Sequence, residues 1–412
     1  MSLNTQILIA AILGVAFGFI LNLYPNTAFF DASLYGLGIA SSIFIGLLKM
    51  LLIPLIFSSI VVGVSNLQSG GQLGKVWKIT LACCVTTTTL ALILGLSCAH
   101  LFDVGKGVDI AMFQDAMNTH QTPDTLTPSS FFTNFIQNTL INPFKAFSEG
   151  NVLAVVLFAL FFGVALVHGG ERFKTVRQLS QQFFDMMMFM IIWVMRLAPI
   201  GIFALLAKLI STEDISVLNR LIEFAVVVTG TTIFHGAVVL PLLLWIFGKM
   251  NPITFFKGAR SALITAFATS SSSATMPLSM KCAQENLGVR PAAAGFVIPL
   301  GTQLNMDGTA LYEAAAALFI ANLMGLDLTI GQQLIVCMTA MIASLGAPGI
   351  PSAGMVTMIM VLQSVGLPAE AIAILLPIDR LLDTVRTVVN VQGDMMISVV
   401  VDRHTRDDEI TT

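Results

Sequence analysis

The sequence predicts an all-α integral membrane protein, with eight transmembrane helices plus two re-entrant hairpins related as inverted repeats. Three observations carry the prediction. Of the 412 residues, 56% are hydrophobic and only 10% are charged, where a soluble domain carries roughly a quarter charged residues. The apolar runs repeatedly exceed the about 18 residues that cross a bilayer. Two runs in the C-terminal part stay apolar on both flanks of a Ser-, Gly- or Pro-rich break.

Helix one is expected at about 5–24, helix two at about 36–66 and helix three at about 76–102. The first run has no basic region before it and no small-residue cleavage site after it, so it reads as a retained span and not as a signal peptide. Residues 103–150 are polar and rich in Asp, Thr, Asn and Pro, and read as an outer tether with some short helix. Helices four, five and six are expected at about 151–169, 179–211 and 217–248. Residues 252–283 follow as a hairpin, broken by Ser270 to Ser273 and by Pro277. A span at about 291–324 is interrupted by Asn305 to Thr309. The second hairpin, 330–366, is broken by Gly346 to Pro351 and by Gly354, and the final span runs about 369–402. From residue 252 onward the pattern is thus hairpin, interrupted span, hairpin, span. Discontinuous helices meeting near the midplane of an inverted repeat are common in secondary transporters.

Basic residues set the orientation. Lys75, Lys78, Arg172, Lys174, Arg177, Lys249, Lys257, Arg260, Lys281, Arg290, Arg403 and Arg406 share one side only if both broken segments are re-entrant. That side is expected to be cytoplasmic, with both termini there, in a plasma membrane of the bacterial inner-membrane kind. The net charge of −3 gives no reason to expect nucleic acid. Cys83, Cys84, Cys98, Cys282 and Cys337 lie in or beside apolar segments with no metal-ligand spacing, and read as small buried hydrophobes.

The last span carries the chemistry. Asp383, Arg386, Thr387, Asn390 and Asp394 fall on one stripe of a helix. Ionised groups inside a bilayer are costly unless paired or facing a cavity, so the stripe predicts a solute-binding surface. Its carboxylates suit a cation or amine, and its guanidinium suits a carboxylate. Ser270 to Thr275 could hold an anionic group at a hairpin tip, since helix N-termini carry positive partial charge, or could simply break a buried helix. Asn305-Met306-Asp307-Gly308-Thr309 interrupts a span and exposes carbonyl oxygens, which suit a hard cation such as sodium. Asp307 could instead pair with a buried basic group. Gly346 to Gly354 allows close backbone approach and, entering from outside, is the natural outer gate. Thr86 to Thr89 could supply hydroxyl ligands or bond their own helix carbonyls. Glu313, alone in an apolar run, could carry a proton or serve as a plain hydrogen-bonding group. His100, His120, His168, His235 and His404 are scattered, and none is given a role.

These motifs resemble those of the dicarboxylate/amino acid:cation symporters, the family of the glutamate transporters. The resemblance rests on Ser270-Ser-Ser-Ser-Ala-Thr275, Asn305-Met-Asp-Gly-Thr-Ala-Leu-Tyr-Glu313 and Asp383-Thr-Val-Arg-Thr-Val-Val-Asn-Val-Gln-Gly-Asp394. Asn142-Pro-Phe-Lys-Ala-Phe147, Leu197-Ala-Pro-Ile-Gly-Ile-Phe203 and Ser364-Val-Gly-Leu-Pro368 extend it over nearly the whole chain.

The resemblance implies a homotrimer in a lipid bilayer whose transport domains move as elevators against a scaffold. Residues 1–75 would be scaffold helices one and two, and 76–102 helix three of the transport domain. Residues 103–215 would be the outer loop with scaffold helices four and five, and 216–412 the rest of the transport domain. Asp383 matches the residue that binds the substrate amino group, and Arg386 the one that grips its side-chain carboxylate, supported by Asp379. Ser270, Ser272, Thr309, Ile350, Gly354, Thr387 and Asn390 match further substrate positions. For sodium, Gly301, Asn305, Asn390 and Asp394 match one site. Gln303, Met306, Ser344, Leu345 and Ala347 match a second, largely through backbone oxygens. Thr87, Thr88, Asn305 and Asp307 match a third.

The chain also departs from the family pattern. Cys84 stands where relatives often carry an aromatic residue, and Thr302-Gln303-Leu304 replaces the more usual Ala-Thr-Ile. An arginine often found at the position of Ser270 or of Thr384 is absent from both, with Arg380 one turn earlier. Glu313 resembles the animal transporters, where the position takes part in proton coupling, while the archaeal type has glutamine. The implied function is sodium-coupled import of aspartate or glutamate, with no cofactor and with sodium, and a proton as a second candidate, as coupling ions. The alternatives are a C4-dicarboxylate symporter, whose family members lack a carboxylate at the Asp383 position, and an anion-conducting relative. An enzyme is disfavoured, because no catalytic Ser/His or paired-Asp pattern appears.

Overall fold

The order of helices follows directly from the alternation of apolar runs and breaks. The computed structural model describes residues 3–25, 27–65, 73–107, 140–149, 151–212, 215–344 and 353–405, and no strand occurs among them. The helices are α1 (Leu3–Asn22), α2 (Ala28–Ser65), α3 (Leu73–Leu101), α4 (Pro143–Glu149), α5 (Val152–Gly169), α6 (Lys174–Arg196), α7 (Ala198–Thr212) and α8 (Ile215–Phe234). α8 continues to Gly248 through two π-helical turns, His235–Val239 and Leu244–Gly248. Then come α9 (Pro252–Thr269), α10 (Ser272–Glu285), α11 (Pro291–Leu304), α12 (Asp307–Leu323), α13 (Ile330–Ser344), α14 (Ala353–Ser364) and α15 (Ile372–Thr405).

Local chemistry sets several boundaries. Asn251 caps α9 by accepting from the Ile253 amide at 2.8 Å, with Pro252 as the first helical residue. Ser271 caps α10 by accepting from the Ala274 amide at 3.1 Å. Three expectations change. The fifth span is two helices, α6 and α7, meeting at Leu197, and the bent pair turns by 52°. Pro199 has no amide hydrogen to donate, and its ring crowds the turn before it. The second span starts near Ala28, earlier than hydropathy suggests, because Asp31 sits in its first turn, where the helix dipole favours a carboxylate. Pro277 does not break the first hairpin: it lies inside α10, and only Ser270-Ser271 interrupts the helix.

Among the described residues four helices are long and apolar enough to cross a membrane, and the bent pair makes a fifth. α15, with 34 residues, is long enough to cross as well, yet Asp379, Arg380, Asp383, Arg386 and Asp394 lower its hydropathy. α15 is nevertheless the hub. α3, α8, α9, α10, α11, α12 and α14 all pack on it, and within each hairpin the two arms pack on one another. α1 packs on α7, and α2 packs on α5, α6 and α7.

Candidate functional site

The stripe foreseen on the last span is buried. Asp379, Asp383, Arg386, Thr387, Asn390 and Asp394 all face the protein interior, and Arg386 is among the largest side chains with almost no exposure. Its Nη2 donates to Asp379 Oδ1 at 2.7 Å and to Asp383 Oδ1 at 3.1 Å. Its guanidinium carbon lies 4.0 Å from the centroid of the Tyr312 ring. Its Nε and Nη1 have no hydrogen-bond partner among the described residues. Buried donors are almost always paired, and leaving them unpaired is costly. A planar guanidinium with one edge used and other donors free is shaped to take a carboxylate.

The neighbours of Arg386 come from the interrupted span and the second hairpin. A Cβ built on Gly354 would lie 3.4 Å from Arg386 Nη1 and 3.2 Å from Thr309 Cγ2. Asn390 Nδ2 donates to Thr309 Oγ1 at 3.3 Å, and Asn390 Oδ1 accepts from the Gly308 amide at 2.8 Å. Thr309, Gly354, Arg386 and Asn390 are thus brought together. Asp383 Oδ2 also accepts from Arg380 Nη1 at 3.4 Å, so Arg380 reaches the site from the preceding turn. Ser270, at the first hairpin's tip, has φ 49°, and its buried hydroxyl has no hydrogen-bond partner among the described residues. Ser272 is buried one turn-start later, and both hairpin arms pack on α15.

The break between α11 and α12 assembles a second cluster. Thr88 Oγ1 donates to Asp307 Oδ1 at 2.8 Å. Thr87 Oγ1 lies within hydrogen-bond distance of Asp307 Oδ1 at 3.1 Å, Asn305 Oδ1 at 3.2 Å and the Cys84 carbonyl at 3.1 Å. Thr86 and Thr89 instead bond the Ala82 and Val85 carbonyls of their own helix. Asn305 Nδ2 donates to Asp394 Oδ1 at 3.3 Å. A Cβ on Gly301 would strike Asp394 Oδ1 at 2.4 Å, so this carboxylate reaches the helix backbone only because residue 301 is glycine. Asp307 and Asp394 are buried, and no Lys or Arg salt bridge reaches either among the described residues. Buried carboxylates need a compensating charge. The donors here are hydroxyl, amide and carboxylate oxygens, the set that suits a hard cation.

The remaining expected cation set is only partly described. Met306 and Ser344 are buried and Gln303 is half-buried, while Ser344 Oγ donates to the Met341 carbonyl at 2.8 Å. Leu345, Ala347 and Ile350, with the hairpin tip Gly346 to Pro351, lie outside the described residues, as does most of the outer segment, 108–139. Glu313 is fully buried and accepts from Thr357 Oγ1 on the second hairpin, while its Oε2 has no hydrogen-bond partner among the described residues. Reading the sequence missed Thr357, Tyr312 and the approach of Arg380 to Asp383. Tyr312 stands one position before Glu313 and on the turn after Thr309, but a lone aromatic ring in an apolar span carries no signal of its own.

A half-used buried arginine, beside an oxygen cluster that no Lys or Arg salt bridge reaches among the described residues, gives this helical membrane protein the chemistry of a site for a charged solute. The sequence matches the Sodium:dicarboxylate symporter family over residues 3–404, and the chain belongs to that family of secondary transporters. It is 35% identical to a putative sodium-dependent excitatory amino acid transporter of Caenorhabditis elegans, glt-4, over 96% of this chain and 88% of that one. It is 34% identical to the proton/sodium-glutamate symport protein of Geobacillus stearothermophilus, over 97% and 93% of the two chains. With human excitatory amino acid transporter 3 the identity is 34%, over 96% and 84%.

Proposed function

We propose that this chain is a sodium-coupled symporter that imports acidic amino acids, aspartate or glutamate, across a plasma membrane. The observation that carries the reading is Arg386: buried, held at one edge by Asp379 and Asp383, and with Nε and Nη1 unpartnered. Those two donors take the substrate's side-chain carboxylate. Asp383 supplies the counter-charge for its ammonium group, which is the group a C4-dicarboxylate lacks. Thr309, Asn390, Thr387 and Gly354, with Ser270, Ser272 and Ile350 from the hairpin tips, complete the substrate site. The names of the relatives, which speak of glutamate, sodium and protons, support the same chemistry.

Sodium neutralises the buried carboxylates. Asp307 with Asn305, Thr87 and Thr88 would hold one ion, and Asp394 with Asn305, Asn390 and the Gly301 backbone another. Met306 and Ser344, with Gln303, Leu345 and Ala347, would form a further site. Glu313, bonded to Thr357 of the second hairpin, links its protonation to that hairpin, the outer gate. Eight spans and two re-entrant hairpins, cytoplasmic termini in a bacterial inner membrane, and a homotrimer with elevator motion complete the proposal. α3 and α8 to α15 would move in it against α1, α2 and α5 to α7.

The test is a binding panel on the purified protein: aspartate, glutamate, succinate and serine, each with and without sodium. The expected result is tight, sodium-dependent binding of the two acidic amino acids only. Succinate binding as tightly as aspartate would replace this reading with a C4-dicarboxylate carrier.

A further inference from the structure

His235 is fully buried, and neither ring nitrogen has a hydrogen-bond partner among the described residues. Its nearest charged neighbour is Asp307, whose Oδ2 lies 3.6 Å from His235 Nε2 and is itself without a hydrogen bond. Two buried groups left unpaired are unusual, and these two face one another. The other Asp307 oxygen, Oδ1, is the one that meets Thr87 and Thr88. The separation exceeds a hydrogen bond by roughly half an ångström.

The local backbone explains why His235 points here. It opens the π-helical turn His235–Val239 in α8, and such single turns are rare in helices and frequent at functional sites. The turn is clamped to α15 one residue further on, where Gln392 Nε2 donates to the Gly236 carbonyl at 2.6 Å. A Cβ on Gly236 would lie 2.9 Å from Val389 Cγ2 and 3.1 Å from Gln392 Oε1, so only glycine permits this approach. The bulge, the glycine and the glutamine together hold the backbone next to His235 against α15, and the imidazole faces the Asp307 carboxylate.

We infer that His235 is a positioning residue for cation binding: its imidazole, facing Asp307 Oδ2 across 3.6 Å, backs that oxygen and keeps Oδ1 turned toward Thr87 and Thr88. The inference rests on reading Asp307 as a cation ligand. Partners that orient a ligand from behind typically change ion affinity by about 10–100-fold when removed.

The test follows the melting temperature of the purified full chain against sodium chloride, with choline chloride keeping ionic strength constant and no substrate present. The sodium midpoint of His235→Leu should rise about tenfold. That of His235→Gln, which keeps an N–H donor, should stay within about threefold of the parent. Aspartate affinity at saturating sodium should stay within about twofold in both. An unchanged midpoint in His235→Leu, or a shift in His235→Gln as large as in His235→Leu, overturns the inference. Asp307→Asn separates the two layers. If Asp307→Asn raises the sodium midpoint or shrinks the response while His235→Leu does not alter it, only the positioning role fails. If Asp307→Asn leaves the response intact, the cation-site reading beneath it fails. Should His235→Leu not fold, Gln392→Leu loosens the same clamp; a raised midpoint supports the inference and an unchanged one overturns it.

Discussion

The guanidinium of Arg386 lies over the Tyr312 ring, 4.0 Å from its centroid, while its Nη2 edge is tied to Asp379 and Asp383. The arginine is therefore fixed from below by an aromatic face and from one side by two carboxylates before any substrate arrives. Preorganisation of this kind lowers the cost of binding. In the proposed function the guanidinium is the group that distinguishes acidic from neutral substrates. Arg386→Cys should abolish aspartate binding and admit small neutral amino acids, since losing one partner of a buried charge pair costs about 2–5 kcal/mol. Calorimetric titration with aspartate and serine checks it, and aspartate affinity within a few-fold of the parent would contradict it.

The ring has its own test. A desolvated cation–π contact is worth up to about 2 kcal/mol. Tyr312→Phe keeps the face and should retain aspartate affinity within about threefold. Tyr312→Leu should weaken it by about tenfold or more. Equal affinities in the two variants would mean that the ring only fills space.

Glu313 and Thr357 connect α12 to the second hairpin. Glu313→Gln imitates the protonated side chain without a proton to release. Substrate exchange between two equal pools should persist, while net uptake in liposomes loses its response to pH. Matching pH profiles for parent and variant would leave Glu313 a structural hydrogen-bonding group. Thr357→Val, which removes the donor, should shift the pH profile without preventing substrate binding.

The polar stripe of the last span was legible in the sequence because polar residues at helical spacing stand out against a lipid-grade background, and Asp383, Arg386 and Asn390 are all buried. The break at Asn305-Met306 was legible for the same reason. What the sequence did not disclose depends on side chains meeting across helices. Spacing puts Arg380 one turn before Asp383, but whether the two side chains meet is a matter of rotamer. Thr357 is one hydroxyl in an apolar helix. Nothing in a sequence announces a π turn, and His235, which faces Asp307 at 3.6 Å, stands at the start of one. The bend at Leu197 was hidden because hydropathy runs on through Pro199 unchanged.

Cooperation between ion and substrate follows from shared parts. Asn390 holds the Gly308 amide and the Thr309 hydroxyl, and Gly308 and Thr309 directly follow Asp307, a cation ligand in the proposed function. Removing sodium should therefore weaken aspartate binding strongly, and aspartate should tighten sodium binding by the same factor, because coupling is reciprocal. Paired titrations, aspartate at several sodium concentrations and sodium at several aspartate concentrations, check both directions. Aspartate affinity that stays flat from sodium-free buffer to high sodium would contradict coupling through Asn390.

The central claim is sodium-driven import of an acidic amino acid, and uptake into sodium-free proteoliposomes of the purified protein tests it most directly. With radiolabelled aspartate or glutamate outside, an inward sodium gradient should drive accumulation above the external concentration, and Arg386→Cys should abolish it. Accumulation that is equal with and without the sodium gradient, or label that only equilibrates across the membrane, would contradict the account.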